Sequence, residues 1–151
     1  MSKSLIPEEK FVADFEPFIK FYAYHVRNKT IAIPLIDIGA LGVNLEAKKQ
    51  RKDIATIDLN ALQPNNIYFS SSKKKENVKN LMWCIRCLAA HHPENVEIVV
   101  LNGAECYKLW CTHKDNKSKR TVYTMKGLVE CNVWSIFING LIAKIKENEI
   151  N

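Results

Sequence analysis

The spacing of apolar residues along the chain predicts three helices. From Pro7 to Arg27, aromatic and aliphatic side chains recur at three- and four-residue steps, which is typical of an amphipathic helix. Pro17 lies inside this segment and should bend or split the helix, because proline removes one helical hydrogen bond. The same spacing predicts a second helix from Lys74 to His91, ended by Pro93, and a last helix from Leu128 to Glu147.

Shorter segments rich in β-branched residues predict two groups of three strands between these helices. Their ranges are Thr30 to Ile38, Asp53 to Leu59, Asn66 to Ser70, Val96 to Asn102, Glu105 to Thr112 and Arg120 to Met125. The dipeptide Asn102-Gly103 is typical of a tight hairpin turn. The predicted element order is therefore α-βββ-α-βββ-α. Strands joined by hairpins and separated from the helices predict an α+β fold, with a mainly antiparallel sheet and helices packed on one face.

Length and composition predict one domain over residues 1–151. The chain has the usual size of a single domain, its 47% of hydrophobic residues is an ordinary globular value, and no low-complexity linker divides it. No apolar run approaches the roughly 20 residues needed to cross a bilayer. The N-terminus lacks the apolar stretch of a signal peptide. We therefore expect a cytoplasmic protein without a membrane partner, small enough to enter the nucleus by diffusion.

The five cysteines favour reduced thiols, because their number is odd and a chain of 151 residues needs no disulfide to hold its core. Cys84 and Cys87 form a Cys-x-x-Cys pair after a tryptophan, similar to a thioredoxin-type redox motif, but they fall in the middle of a predicted helix. Cys106 and Cys111 would supply a second pair for a zinc site. Cysteine is also among the most buried residue types. We therefore expect core thiols and no cofactor, with zinc at these four cysteines as the weaker alternative.

Basic charge is concentrated in three predicted loops. The chain carries a formal charge of +6, and half of its 22 lysine and arginine residues fall in these loops. The first cluster is Lys48, Lys49, Arg51 and Lys52, the second is Lys73, Lys74 and Lys75, and the third is Lys114, Lys117, Lys119 and Arg120. If the loops converge, they would form a surface that follows a phosphate backbone. The simpler interpretation is that these runs are solvated turns that keep the protein soluble.

Three aromatic residues lie near these loops in the sequence and could stack on bases: Tyr68, Phe69 and Tyr123. The chain lacks a glycine-rich phosphate loop, a nucleophile elbow and an acidic metal-binding loop, so a non-enzymatic protein is favoured. Lysine far outnumbers arginine, and isoleucine and asparagine are abundant, which indicates an AT-rich genome such as those of many viruses and mobile elements.

We therefore predict a small basic binding module, of viral or mobile-element type, that binds RNA or another polyanion through its lysine-rich loops. Lysine dominance favours backbone contacts with little base specificity, since bidentate base recognition favours arginine. The second hypothesis is a protein-interaction module, either a homodimer or a protein that binds a host factor. Its support is the aromatic-rich first helix, with Phe11, Phe15, Phe18, Phe21, Tyr22 and Tyr24. The third is a zinc-stabilised or thiol-redox protein using Cys84 and Cys87.

Overall fold

The fold of the chain is taken from a computed structural model that describes residues 6–29, 33–34, 38, 41–71 and 78–149. The helices in this part of the chain are α1 (Glu8–Asp14), α2 (Glu16–His25), α3 (Arg51–Ala55), α4 (Val78–His91) and α5 (Cys131–Glu149). The strands are β1 (Asn44–Lys48), β2 (Asn66–Ser70), β3 (Val96–Leu101), β4 (Ala104–Lys114) and β5 (Thr121–Glu130). Short 3-10 turns occur at Leu59–Ala61 and Pro93–Asn95.

The five strands form one sheet in the order β1-β2-β5-β4-β3. Only β1 and β2 are parallel, and the other neighbouring pairs are antiparallel. The second half of the chain follows the predicted hairpins, with the turn between β3 and β4 at Asn102-Gly103 in left-handed backbone conformations. The prediction of an α+β fold with a mainly antiparallel sheet is confirmed. Helices α1, α2, α4 and α5 pack on one face of the sheet as predicted, and α3 is the exception, because it lies on the other face.

The first predicted helix is split in two at the expected place. Helix α1 ends at Asp14, and Phe15 separates it from α2, in which Pro17 occupies the first turn. A proline in the first turn is tolerated because its missing N–H would have no helical partner there. The break lets Phe15 turn fully into the core. The centre of its ring lies 5.1 Å from the ring centres of Tyr107 and Trp134.

Trp134 is part of the main hydrophobic core, which lies between the sheet and α1, α2, α4 and α5. It is fully buried, and its indole N–H donates to the backbone oxygen of Asp14 over 3.1 Å. The Tyr107 hydroxyl donates to the carboxylate of the same Asp14. One residue at the end of α1 therefore satisfies polar groups from both the sheet and α5, which would otherwise be buried without partners.

The first half of the chain departs from the predicted order of three strands. The predicted strand from Asp53 to Leu59 is wrong, because its first residues form the end of α3 and only Ile54 among them is buried. The strand β1, which the sequence pattern did not predict, precedes it. Of the predicted strand from Thr30 to Ile38, only residues 33, 34 and 38 are described, and residues 74–77 of the predicted second helix also lie outside the described residues.

Lys126 attaches α3 to the face of the sheet opposite the main core. Its side chain is only 6% exposed, and its ammonium group donates to the backbone oxygens of Ala55 at 3.1 Å and Ile57 at 2.8 Å. The ammonium also lies 4.3 Å from the centre of the Tyr123 ring. Carbonyl groups at the end of a helix lack helical partners, so Lys126 stabilises the end of α3. Burial lowers the pKa of Lys126 from its ordinary value.

We predict that Lys126→Met lowers the free energy of unfolding by about 2 kcal/mol, because hydrogen bonds from a charged donor contribute roughly 1.5–3 kcal/mol. Urea unfolding followed by circular dichroism measures this change. Lys52→Met, on the exposed surface of α3, is the matched control and should change stability by less than about 0.5 kcal/mol. Equal stabilities of the two variants would show that Lys126 does not hold α3 in place.

Candidate functional site

The strand directions bring two of the three basic clusters to one end of the sheet. Because β1 and β2 are parallel, their last residues, Lys48 and Ser70, lie side by side. Because β5 is antiparallel to β2 and to β4, the hairpin from Lys114 to Thr121 lies at this same end. We call residues 48–52 and 114–120 together the basic end. Seven of its eight lysine and arginine side chains are exposed, and Lys48 is half-buried.

The hairpin of the basic end has a defined shape rather than a loose one. The Asp115 carboxylate accepts hydrogen bonds from the Ser118 backbone N–H at 3.1 Å and from its hydroxyl at 2.8 Å. The Asp115 backbone N–H donates to the Arg120 backbone oxygen over 3.0 Å, and the Lys119 N–H donates to the Asp115 oxygen over 2.9 Å. These bonds fix the positions from which Lys117, Lys119 and Arg120 extend into solvent.

Arg51 lies near the hairpin, although the two are far apart in sequence. The hydrogen bonds from Ser118 lower the pKa of the Asp115 carboxyl, and the positive charge of Arg51 lowers it further. Charges exposed to solvent act on each other over roughly a Debye length, about 10 Å. This effect agrees with the strand pairing, which puts the first and third basic clusters at the same end of the sheet.

Lys48 differs from the rest of its cluster because it is partly neutralised. Its ammonium lies 2.8 Å from a Glu46 carboxylate oxygen and 5.7 Å from the centre of the Tyr68 ring. Lys49, Arg51 and Lys52 follow the strand and are exposed. We therefore expect these three to be more available to a ligand than Lys48.

The second predicted cluster, Lys73, Lys74 and Lys75, falls in residues 72–77 and lies outside the described residues. The residues on either side of it are described. The Ser71 backbone N–H donates to the Lys48 backbone oxygen over 2.8 Å, and Val78 begins α4. The role of these three lysines stays a prediction.

A pocket of about 170 Å³ lies beside the basic end and was not predicted from the sequence. Its lining is Lys49, Arg51, Ser70, Asn80 and Trp83. Trp83 is 36% exposed, and its ring contacts the His113 ring edge-on, with 6.3 Å between the ring centres. The sequence position of Trp83 could have indicated this pocket. Trp83 lies outside the stripe of apolar residues that packs α4 against the core.

The aromatic residues predicted to stack on bases are placed differently. Phe69 is fully buried in the main core, so its predicted stacking role is wrong. Tyr68 and Tyr123 are half-buried on the opposite face of the sheet, next to Lys48 and Lys126 respectively. Tyr68 lines a wide groove of about 550 Å³ with Lys48, Asp53 and Asp58. Two carboxylates make this groove less suited to a polyanion than the basic end.

The five cysteines are all free and buried. Cys111 faces the main core near Cys84 and Cys87 of α4, and burial is the largest cause of the raised pKa of each thiol. Cys106 is five residues before Cys111 on β4, and side chains an odd number of residues apart point to opposite faces of a strand. The four cysteines of the zinc alternative therefore do not meet in one place.

No group of three or more histidine, cysteine or acidic side chains that could hold a metal ion occurs within the described ranges. The redox alternative is also poorly supported by the positions of Cys84 and Cys87. Both lie well inside α4, and a reactive cysteine needs a lowered pKa, whereas burial raises theirs.

No protein-family model, curated protein or solved structure matches the chain. Among the helices of the described segments, none is both long enough and apolar enough to span a membrane. The geometry of the basic end and its pocket is therefore the basis for a functional proposal.

We predict that Cys111 makes the folded protein less stable as the pH rises above 9. Burial raises the pKa of this thiol from 9.0 to about 12, so between these values the unfolded chain loses the proton and the folded chain keeps it. Between pH 9 and pH 10, the free energy of unfolding should fall by about 1 kcal/mol less in Cys111→Ala than in the natural protein. Urea unfolding at pH 8, 9 and 10 measures this, and the difference at pH 8 gives the packing cost of the substitution. If the free energy of unfolding changes equally with pH in the two proteins, the prediction is wrong.

Proposed function

We propose that this protein is a non-enzymatic binding module that holds RNA, or another polyanion, against its basic end. The observation that carries the proposal is the sheet topology, which brings Lys49, Arg51 and Lys52 together with the hairpin residues Lys117 to Arg120. Clustered cations on one surface bind a phosphate backbone by displacing its counterions.

The distribution of acidic residues supports this proposal. The basic end has eight cationic side chains within residues 48–52 and 114–120, and the described carboxylates near it include Glu46, Asp53, Asp58 and Asp115. At the opposite end of the sheet, Glu105 is the second residue of β4 and Glu130 is the last residue of β5. Glu130 is fixed there by a 2.8 Å hydrogen bond from the Asn65 side chain. A polyanion would be attracted more strongly to the basic end than to the opposite end of the sheet.

The chemistry of the basic end favours recognition of the backbone over recognition of sequence. Six of its eight cations are lysines, which act as point charges, and only Arg51 and Arg120 have the planar fork that reads a guanine edge. We further propose that the protein works in the cytoplasm, where five free thiols would stay reduced. The lysine-rich composition supports an origin in a virus or mobile element. No metal or other cofactor is part of the proposed binding.

We predict that Lys117→Gln with Arg120→Gln weakens binding to a labelled single-stranded RNA and flattens its dependence on salt. Each phosphate contact that is lost should reduce the slope of log K against log salt by about 0.7. Fluorescence anisotropy at several salt concentrations measures both quantities. A second variant, with glutamine in place of Lys73, Lys74 and Lys75, tests whether the remaining predicted cluster contributes to RNA binding.

The matched control is Lys20→Gln with Arg27→Gln. It removes the same charge from exposed positions on α2 and just after it, outside the basic end. Binding that is equally weak in the control and in the hairpin variant would mean that total charge, not the basic end, determines affinity. Absence of binding by the natural protein at low salt would overturn the proposal.

A second candidate function, self-association, is favoured by the edge strand β3. It pairs with β4 on one side, and no strand of the described part of the chain pairs with its other side. Val100 is 66% exposed and Leu101 is also exposed at its end. An open apolar edge is a template for pairing with a second chain. The first helical region supports this function less than its sequence indicated, because Phe15, Phe18, Phe21 and Tyr22 are buried and Tyr24 is the one that is mostly exposed.

If β3 mediates a homodimer, Val100→Lys should shift the protein to a monomer without lowering its stability, because this side chain contributes little to the core. Light scattering over a range of protein concentrations measures the association. A monomer at every concentration of the natural protein would contradict self-association.

A further inference from the structure

We infer that the pocket beside the basic end binds one unpaired nucleobase, stacked on Trp83. This inference rests on the proposed function and narrows its ligand to single-stranded RNA. The pocket is smaller than the roughly 300–1,000 Å³ typical of sites for whole small-molecule ligands. It is suited to a single planar group that projects from a longer chain.

Trp83 has the exposure and support that a stacking surface needs. Trp83 is partly open to solvent, although eight other residues of α4 are buried, and the His113 ring lies edge-on against it. Stacking on an aromatic ring tolerates any base, because every base has a π-face. This tolerance agrees with a basic end whose lysines do not distinguish one base sequence from another.

Charged and polar groups surround the ring in the way that a nucleotide requires. Lys49 and Arg51 line the same pocket and would contact the phosphates on either side of the stacked base. Arg51 lies in α3 and Trp83 in α4, and both side chains line this pocket. The Asn80 amide is oriented by a 2.9 Å hydrogen bond to the Ser71 hydroxyl.

A double helix would not use this pocket in the same way. In a duplex the faces of the bases are stacked on one another, so a base must be unpaired before it can lie against an aromatic side chain. The protein is therefore expected to bind single-stranded RNA more tightly than a duplex RNA with the same number of phosphates.

The test compares the natural protein with Trp83→Leu on three labelled ligands: a uridine oligonucleotide, an abasic oligonucleotide of equal length, and an RNA duplex. Trp83→Leu should weaken uridine binding about tenfold, the size expected for one base–aromatic stacking contact, and leave abasic binding nearly unchanged. The salt slope should not change, because no phosphate contact is lost.

Two further variants keep the result interpretable. Trp83→Tyr retains an aromatic ring and should keep most of the affinity even if leucine at this position disturbs the fold. Tyr24→Leu removes an exposed aromatic residue that does not line the pocket and should bind like the natural protein. Circular dichroism shows whether each variant is folded.

Failure of this inference and failure of the proposed function give different results. If Trp83→Leu binds uridine and abasic oligonucleotides like the natural protein, while the hairpin variant is weakened, base stacking is wrong and polyanion binding stands. If the natural protein binds the abasic ligand and the uridine ligand equally tightly, stacking is also wrong. If it binds none of the three ligands at low salt, both proposals are wrong.

Discussion

The parallel pairing of β1 with β2 is the constraint on which the arrangement of the molecule depends. Parallel neighbours cannot be joined by a tight turn, so the chain must leave the end of β1 and return to the start of β2 at the opposite end of the sheet. Helix α3 is the first part of that return, and Lys126 attaches it to the sheet. As a result, the cations that follow β1 remain beside the end of β2 and the β4–β5 hairpin.

The second half of the fold could be predicted from sequence because its determinants are local. Alternating apolar residues and the Asn102-Gly103 turn indicate the β3–β4 hairpin, and Pro17 indicates the break between the first two helices. The boundary between β5 and α5 was misplaced by three residues. Leu128 and Val129 fit the helical period, yet their neighbours in the sheet keep them in β5.

The first half of the fold and the candidate site depend on contacts between distant residues. Strand β1 is short and carries charged residues, as edge strands often do, so its sequence resembles a loop. The basic clusters were evident as charge runs, but their proximity follows from the strand order, which no local pattern contains. Lys126 likewise resembles an exposed lysine of a half-buried strand, and its burial depends on α3 lying over it. Trp83 alone gave a local signal, through its position off the apolar stripe of α4.

The separation of charge between the two ends of the sheet has a kinetic consequence. The cations at residues 48–52 and 114–120 lie at one end of the strands, and the carboxylates of Glu105 and Glu130 lie at the other end. If the protein binds a polyanion as proposed, this separation of charge would turn it before contact, so that the cationic end arrives first. Such an orientation would raise the fraction of productive encounters and speed association, while the short-range contacts made afterwards would set the lifetime of the complex.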